Sequence, residues 1–266
     1  MKVREVNEHF LNRAAWVDRA KTVDRVIIGD PEKNVRRCVV LWIPSFAALR
    51  IVARKSIGLI VCHEPTFWGH WDDEQTDARC AEKVDFINEH GIAIVRNHDV
   101  WDRFPDWGIP WAWAKFLGLP KEPAAVDEPR YQHRYDIEPV PLGEFARRVA
   151  ARTAGIGQPQ VEVTGDLDRT VSRIGIGTGC GTSLTSYLDI GCDCCIMCDD
   201  GNNYWADGQL ADDLGVPTIW VNHGTSEEPG MVSMTKYINE HIEGLAAEHL
   251  PQGCRFRLAG AEEDVR

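Results

Sequence analysis

Short apolar runs alternate with amphipathic stretches along most of the chain. Uninterrupted apolar runs are typical of strands buried on both faces, whereas helices repeat apolar residues every three or four positions. The pattern predicts strands at 37–43, 57–62, 92–95, 161–163, 171–176, 193–197 and 218–221, and helices at 4–16, 45–54, 76–90, 111–117, 142–154 and 230–250. This alternation predicts an α/β fold with mixed or parallel sheets flanked by helices.

A proline-rich stretch at 120–141 interrupts the alternation. Proline lacks a backbone donor and disfavours helix at the residue before it. We interpret the stretch as a connector between an N-terminal α/β half, residues 1–125, and a C-terminal α/β half, residues 126–266. The last helix of the second half could pack back on the first. The prolines of the connector are Pro120, Pro123, Pro129, Pro139 and Pro141.

The composition is that of a folded protein. The 266 residues are 44% hydrophobic and 26% charged, enough to bury a large core. The net charge of −12 lacks the basic surplus typical of nucleic-acid binding, and no apolar run is long enough for a membrane span. The polar N-terminus shows no secretory signal, so we expect a cytoplasmic protein with neither nucleic acid nor membrane as its main partner.

Five of the nine cysteines fall in one short segment, from Cys180 to Cys198. In a cytoplasmic protein we expect reduced thiols. A zinc ribbon would need a second paired motif besides Cys195 and Cys198, and the sequence has none. We therefore interpret the cluster at 192–198 as core packing on a buried strand, ahead of a zinc or redox role.

Three histidines lie just past the carboxyl ends of predicted strands: His63, His98 and His223. In open α/β sheets, ligands bind outside the carboxyl ends of the strands. An isolated histidine in such a place is more often a loop residue or a helix cap. The repetition at three strand ends favours a shared site instead.

Each of these histidines has a carboxylate nearby. Glu64 follows His63 directly, whereas Asp102 and Glu227 lie four residues after His98 and His223. A four-residue spacing lets two side chains reach one point if the segment turns. Imidazole with carboxylate suits zinc, iron or manganese. These three histidines and three carboxylates are more ligands than one ion usually binds. Two ions that share a carboxylate would use all of them.

Two further features lie near these motifs. His70, in the sequence Trp-Gly-His-Trp-Asp-Asp, could approach the site as a proton-transfer or substrate group. We expect several tryptophans near the first two motifs to fill a core or an oligomer interface. The alternative is that they form an aromatic wall for a planar substrate. These tryptophans are Trp68, Trp71, Trp101, Trp107, Trp111 and Trp113.

Glycine occupies every second position from Gly175 to Gly181. This register differs from the Gly-x-Gly-x-x-Gly of dinucleotide-binding loops. We predict a tight turn from a strand to a helix near the metal cavity, where backbone amides could receive an anion.

The order of these motifs resembles the Nif-three-like family of dinuclear-metal, hexameric proteins, whose bacterial members are often described as type 2 GTP cyclohydrolase I. The resemblance spans about residues 20–245. The matching segments are Cys62-His63-Glu64-Pro65, His98 to Asp102, Gly175 to Gly181, and His223 to Glu227.

The resemblance implies two divalent metal ions per chain, bridged by carboxylate at the junction of the two halves. It also implies a ring-shaped homohexamer with the sites facing an internal cavity. Carried over by position, the metal ligands are His63, Glu64, Asp102, His223 and Glu227.

Two departures from the family pattern matter. Glu64 stands where the family has a second histidine, and its harder oxygen donor should favour manganese, iron or magnesium over zinc. The segment 198–203 lacks the histidine that the family usually carries there, so substrate contacts do not transfer.

The resemblance and the metal chemistry together predict a dinuclear-metal-dependent hydrolase, similar to type 2 GTP cyclohydrolase I. It would act on C–N bonds other than peptide bonds in a nucleotide or another small heterocyclic substrate. Glu64 and His70 are the candidate catalytic residues. The alternatives are a non-catalytic metal-binding interaction or regulatory protein, and a metal-dependent phosphoesterase.

Overall fold

The computed structural model describes residues 1–177 and 179–258, except the side chains of residues 74 and 75. The strands are β1 (Val26–Ile28), β2 (Arg37–Leu41), β3 (Leu59–Cys62), β4 (Ala93–Arg96), β5 (Ala125–Val126), β6 (Gln132–Pro141), β7 (Glu162–Thr164), β8 (Thr170–Gly177), β9 (Cys194–Cys198), β10 (Thr218–Val221) and β11 (Ala246–His249). The α-helices are α1 (Val3–Leu11), α2 (Phe46–Arg54), α3 (Ala81–Glu89), α4 (Ile109–Leu117), α5 (Leu142–Thr153), α6 (Leu184–Asp189), α7 (Gln209–Asp213) and α8 (His223–His241). Two mixed sheets flanked by helices confirm the predicted α/β class.

The first sheet has the order β1-β4-β3-β2-β11. Strands β4, β3, β2 and β11 are parallel, and β1 is antiparallel at the edge. Successive residues of β2 serve opposite faces. Cys38 and Val40 pack in the cluster that contains α1 and α8, while Val39 and Leu41 pack with α2 and α3. The sheet is therefore covered on both faces, as its uninterrupted apolar strands predict.

The second sheet has the order β5-β6-β8-β9-β10-β7. Its central strands β8, β9 and β10 are parallel, and the flanking strands are antiparallel. In β9, Cys194 and Ile196 face the cluster with α4 and α5, whereas Cys195 and Met197 face the cluster with α6 and α7. Burial raises the pKa of the Cys194 and Cys195 thiols. These two cysteines are core residues, as predicted.

The interpretation of residues 120–141 as a connector is wrong for much of its length. Residues 125–126 form β5 and residues 132–141 form the ten-residue strand β6. The prolines do not prevent this, because Pro139 lies within the irregularity of β6 between Asp136 and Val140, where the ladder with β8 is interrupted. Whether a segment with prolines forms a strand depends on where each proline falls in the strand pairing, and the number of prolines does not show this.

Three helix boundaries also differ from the sequence prediction. The first helix ends at Leu11 rather than 16, and α3 begins at Ala81 after two short 3-10 turns. The last helix spans His223–His241 rather than 230–250. It packs against α4 and β2, and the chain then turns through Gly244, with a φ of 80°, into β11 of the first sheet. Across the described ranges, helices of membrane-spanning length and apolarity do not occur.

Candidate metal centre

The carboxyl ends of the parallel strands from both sheets supply one cluster of polar side chains. His63 follows β3, and His98 lies two residues after β4. His223 is the first residue of α8, two residues after β10 ends at Val221. The backbone amides of His63 and Glu64 both donate to the carbonyl of Trp42, which follows β2. The predicted strand-end histidines therefore meet where the two sheets approach each other.

Glu227 is at the centre of the cluster. Its Oε2 lies 3.4 Å from Nε2 of His63 and 3.1 Å from Nε2 of His223. The indole Nε1 of Trp42 donates to the same oxygen at 2.7 Å. One carboxylate thus contacts a histidine from each sheet, which is the position that a bridging ligand would take.

The remaining predicted ligands surround this pair. Asp102 Oδ1 lies 3.3 Å from Nε2 of His63, and Glu64 Oε1 lies 3.2 Å from Nε2 of His223. Geometric groupings of potential ligand atoms include His63 with Glu64 and Glu227. The structure brings together all five residues that the resemblance indicates.

His98 joins the cluster although the predicted ligand set leaves it out. Its ring stacks on that of His63, with centroids 4.5 Å apart and planes 12° apart. Its Nδ1 lies 3.3 Å from Asp102 Oδ2. His63, His98 and Asp102 form a second grouping of potential ligand atoms. The strand-end position of His98 was a signal for this role.

Carboxylates behind the cluster orient its histidines. Asp200 Oδ2 lies 3.0 Å from Nδ1 of His223, and the His223 backbone amide donates to Asp199 at 2.9 Å. Nδ1 of His63 lies 3.2 Å from the carbonyl of Asn97. Metal-binding histidines usually engage their second nitrogen in such contacts, because this fixes the tautomer and the ring orientation. Both rings therefore direct Nε2 towards Glu227.

The turn that carries His98 is fixed by a buried aspartate. The Asp24 carboxylate accepts backbone N–H groups from His98 at 2.5 Å, Asp99 at 3.1 Å and Val100 at 2.7 Å. Burial raises the pKa of Asp24 to about 6, and Asp99 contributes in the same direction. Asp24 therefore positions the His98 turn, a role that the sequence analysis did not assign to it.

The charges of the cluster are strongly coupled. Burial lowers the pKa of His63, but Glu227 and Asp102 outweigh this effect and hold it well above its ordinary value. Conversely, burial raises the pKa of Glu227, but His223 and His63 hold it well below its ordinary value. Without a metal ion, the protonated histidines balance the charge of these carboxylates. Divalent ions would supply the same positive charge once the histidines lose their protons.

The donor chemistry also fits a metal ion. Nε2 of His63 is buried and lies 3.3 Å from Asp102 and 3.4 Å from Glu227, contacts that are long for hydrogen bonds. A metal ion held between these groups would satisfy the nitrogen and both carboxylates. Two to three imidazoles with three carboxylates are donors that zinc, iron and manganese accept.

The glycine-rich turn lies against the cluster. A Cβ built on Gly179 would lie 2.2 Å from Nε2 of His223 and 2.3 Å from Oε1 of Glu227. Any side chain here would displace the candidate ligands, so glycine is required. The predicted turn near the cavity is thus present, although Thr178 within it lies outside the described residues. The following helix α6 begins after Ser183, which caps it.

His70 lies at the edge of the cluster. Its ring centroid is 5.9 Å from that of His98, and its backbone carbonyl accepts a hydrogen bond from Arg96. Burial, Arg96 and His98 together lower the pKa of His70. Of the tryptophans singled out in the sequence, Trp101 and Trp113 are core residues, Trp107 and Trp111 are partly buried, and Trp68 and Trp71 are exposed.

The fold and the site define an α/β protein with two mixed sheets and a histidine–carboxylate cluster able to bind metal at their junction. The sequence pattern of the Duf34/NIF3 (NGG1p interacting factor 3) family matches residues 1–251. The chain belongs to this family. No curated protein sequence matches the chain.

Solved structures share the fold over nearly the whole chain. Staphylococcus aureus hypothetical protein SA1388 is 15% identical with a TM-score of 0.78, covering 97% of this chain and 99% of its own. The Bacillus cereus protein related to NIF3 is 12% identical with a TM-score of 0.75, covering 97% and 98%. Reduced HcgD from Methanocaldococcus jannaschii is 17% identical with a TM-score of 0.70, covering 94% and 98%. At these identities the likeness establishes the fold alone.

Proposed function

We propose that this protein is a dinuclear-metal-dependent hydrolase. The single observation that carries the proposal is the contact of Glu227 Oε2 with Nε2 of both His63 and His223. His63, His98 and Asp102 would hold one ion, and Glu64 and His223 the other, with Glu227 shared between them.

Two such ions would supply Lewis-acid activation and a hydrolytic nucleophile at neutral pH. The chain's own residues would bind the ions, orient the substrate and move protons. His70 is exposed beside His98 and could carry a proton between the cluster and solvent. Glu64 shares its carboxylate between His223 at 3.2 Å and Arg96 at 3.4 Å, so it would serve as a ligand and as a candidate base.

For the substrate we propose a nucleotide or another small heterocycle with a hydrolysable C–N bond, as in type 2 GTP cyclohydrolase I. The resemblance supports this substrate class. It also supports a homohexamer, and we propose that this assembly acts in the cytoplasm. The oxygen donor of Glu64 favours manganese or iron over zinc.

Turnover of metal-reconstituted protein tests this proposal. We expect the parent to hydrolyse at least one member of a panel of purine nucleotides and cyclic amides, and Asp102→Asn to lose at least about 100-fold in kcat/KM. Glu122→Gln is the matched control, because Glu122 is exposed and pairs only with the exposed Lys121 among the described residues. Bound metal without turnover of any substrate contradicts the proposal and favours a metal-binding interaction or regulatory protein. Release of inorganic phosphate alone assigns the site to a phosphoesterase.

A further inference from the structure

A short loop beside the metal centre has a constrained backbone. The loop spans residues 66–72 and begins two residues after Glu64. The buried carboxylate of Asp72 accepts the backbone amide of Phe67 at 2.7 Å, and the Asp72 amide donates to Gly69 at 3.0 Å. Trp68 and Asp72 have φ angles of 68° and 54°, a region that non-glycine residues rarely adopt. Such strain persists only where the surroundings impose it and is common at binding sites.

Three cationic side chains hold the backbone of this loop. Lys83 donates to the carbonyl of Thr66, Arg96 to that of His70 and Arg25 to that of Trp71. Lys83 and Arg96 are buried. Buried cations usually pair with carboxylates. Each of the three cations donates to a loop carbonyl, and Arg96 also lies 3.4 Å from Glu64 and 3.8 Å from Asp72, so these residues fix the position of the loop relative to the metal centre.

The side chains that the loop presents form a line from the metal centre to solvent. The ring of His70 lies edge-on to His98 at 5.9 Å, and the ring of Trp71 lies edge-on to His70 at 5.0 Å. Trp71 is 47% exposed and Trp68 is 61% exposed. Two exposed tryptophans within one short loop offer apolar surface on which a ligand or a partner can pack. Trp71 lies one residue and Trp68 two residues from His70, the candidate proton carrier, and this position points to the substrate.

We propose that the loop 66–72 is the substrate-recognition loop and that Trp71, with Trp68, is a specificity-determining stacking platform for a planar nitrogen heterocycle. This inference rests on the proposed function, since it places the heterocycle beside the metal ions. An indole offers a planar face on which any nucleobase can stack. The platform would therefore favour planar rings over non-planar ligands without distinguishing one base from another by its hydrogen bonds. Arg25, Lys83 and Arg96 are positioning residues that hold the platform.

Binding of guanosine monophosphate and ribose 5-phosphate to the metal-loaded protein tests the inference. Both probes carry the same phosphate, which could contact the ions, but only one carries a planar base. We expect the parent to bind guanosine monophosphate at least about tenfold more tightly in calorimetry. We expect Trp71→Ala to weaken this binding by about 5- to 100-fold, leaving ribose 5-phosphate unaffected. Trp205→Ala is the control, because Trp205 is 75% exposed in the other half of the chain.

Equal affinity for the two probes, or unchanged binding in both Trp68→Ala and Trp71→Ala, overturns the inference. Dissociation of an oligomer by these substitutions without loss of base affinity overturns it as well and assigns the loop to an interface between copies. The test is independent of turnover. If the base binds through Trp71 but the protein has no activity, the assignment of the loop stands and the hydrolase proposal is contradicted. If the protein hydrolyses only non-planar substrates, the hydrolase proposal stands and the assignment of the loop is contradicted.

Discussion

His223 and Glu227 meet across the first turn of the last helix, with Nε2 and Oε2 3.1 Å apart. The same oxygen reaches His63 of the other sheet at 3.4 Å. The helix that begins at His223 therefore carries two candidate ligands, and its packing against β2 and α4 ties the two sheets together at the candidate metal centre. The architecture and the candidate site depend on the same element.

Glu227→Gln should abolish binding of both ions. The amide keeps the shape and can still accept from Trp42, but it removes the negative charge shared by the two histidines. We expect the metal content, measured by elemental analysis, to fall to well below one ion per chain, with circular dichroism unchanged. Glu122→Gln should keep the parent's content. Full metal content in Glu227→Gln would show that this carboxylate does not bridge.

His98→Ala should remove one ion and leave the other. His98 contacts Asp102 and stacks on His63, but its Nε2 is 3.9 Å from Glu64 and it does not contact His223. We expect about half of the parent's metal content after dialysis. His90→Ala is the control, since His90 is exposed at the end of α3. An unchanged content would restrict the ligands to the five residues expected from the resemblance.

Gly179→Ala should disrupt the centre sterically. The new methyl would overlap both His223 and Glu227, and overpacking of this kind costs about 1–3 kcal/mol. We expect a lower free energy of unfolding in urea and metal affinity reduced by at least about tenfold. Gly155→Ala is the matched control, because a Cβ there meets nothing within 4 Å. Equal behaviour of the two variants would contradict the packing of the glycine-rich turn on the site.

A buried histidine of β6, His133, should control stability in acid. Burial, aided by Arg130, lowers the pKa of His133 to about 3, below the ordinary value of about 6.5 that it regains on unfolding. The unfolded chain therefore binds a proton more readily, so stability is complete above about pH 6.5 and falls as the pH drops towards 3. At pH 5 the loss from this residue is about 2 kcal/mol.

Urea unfolding of the parent and of His133→Gln at pH 7 and pH 5 measures this contribution. The glutamine does not titrate, so the parent should lose about 2 kcal/mol more than the variant between the two pH values. Comparison with the variant also removes the effect of His9, whose pKa burial lowers to about 4. Equal losses would show that His133 is not the acid-sensitive group.

The sequence predicts those features that depend on local pattern. The strand 57–62 is apolar throughout, and it ends beside His63 as expected, with β3 at Leu59–Cys62. The spacing of His223 and Glu227 correctly anticipates two side chains that meet, although the helix there begins earlier than its apolar spacing indicates. The local pattern is informative because burial and helical spacing are properties of neighbouring residues.

Features that depend on distant partners were not predictable in the same way. Strand β6 was missed because the position of Pro139 within an irregularity depends on pairing with β8. The loop 66–72 was missed because the cations that hold it, Arg25, Lys83 and Arg96, are far from it in sequence. The strand-end position of His98 indicates a place near the site, but its contact with His63 depends on the fold, so the ligand set implied by the resemblance does not include it.

The most direct test of the account is the number of metal ions per chain. Elemental analysis of the purified protein after desalting should give about two first-row divalent ions for each chain. The double substitution of His63 and His223 by alanine should bring this number close to zero with the fold intact. A parent content near zero after reconstitution with manganese, iron and zinc, or an unchanged content in the double variant, would contradict the existence of the metal centre.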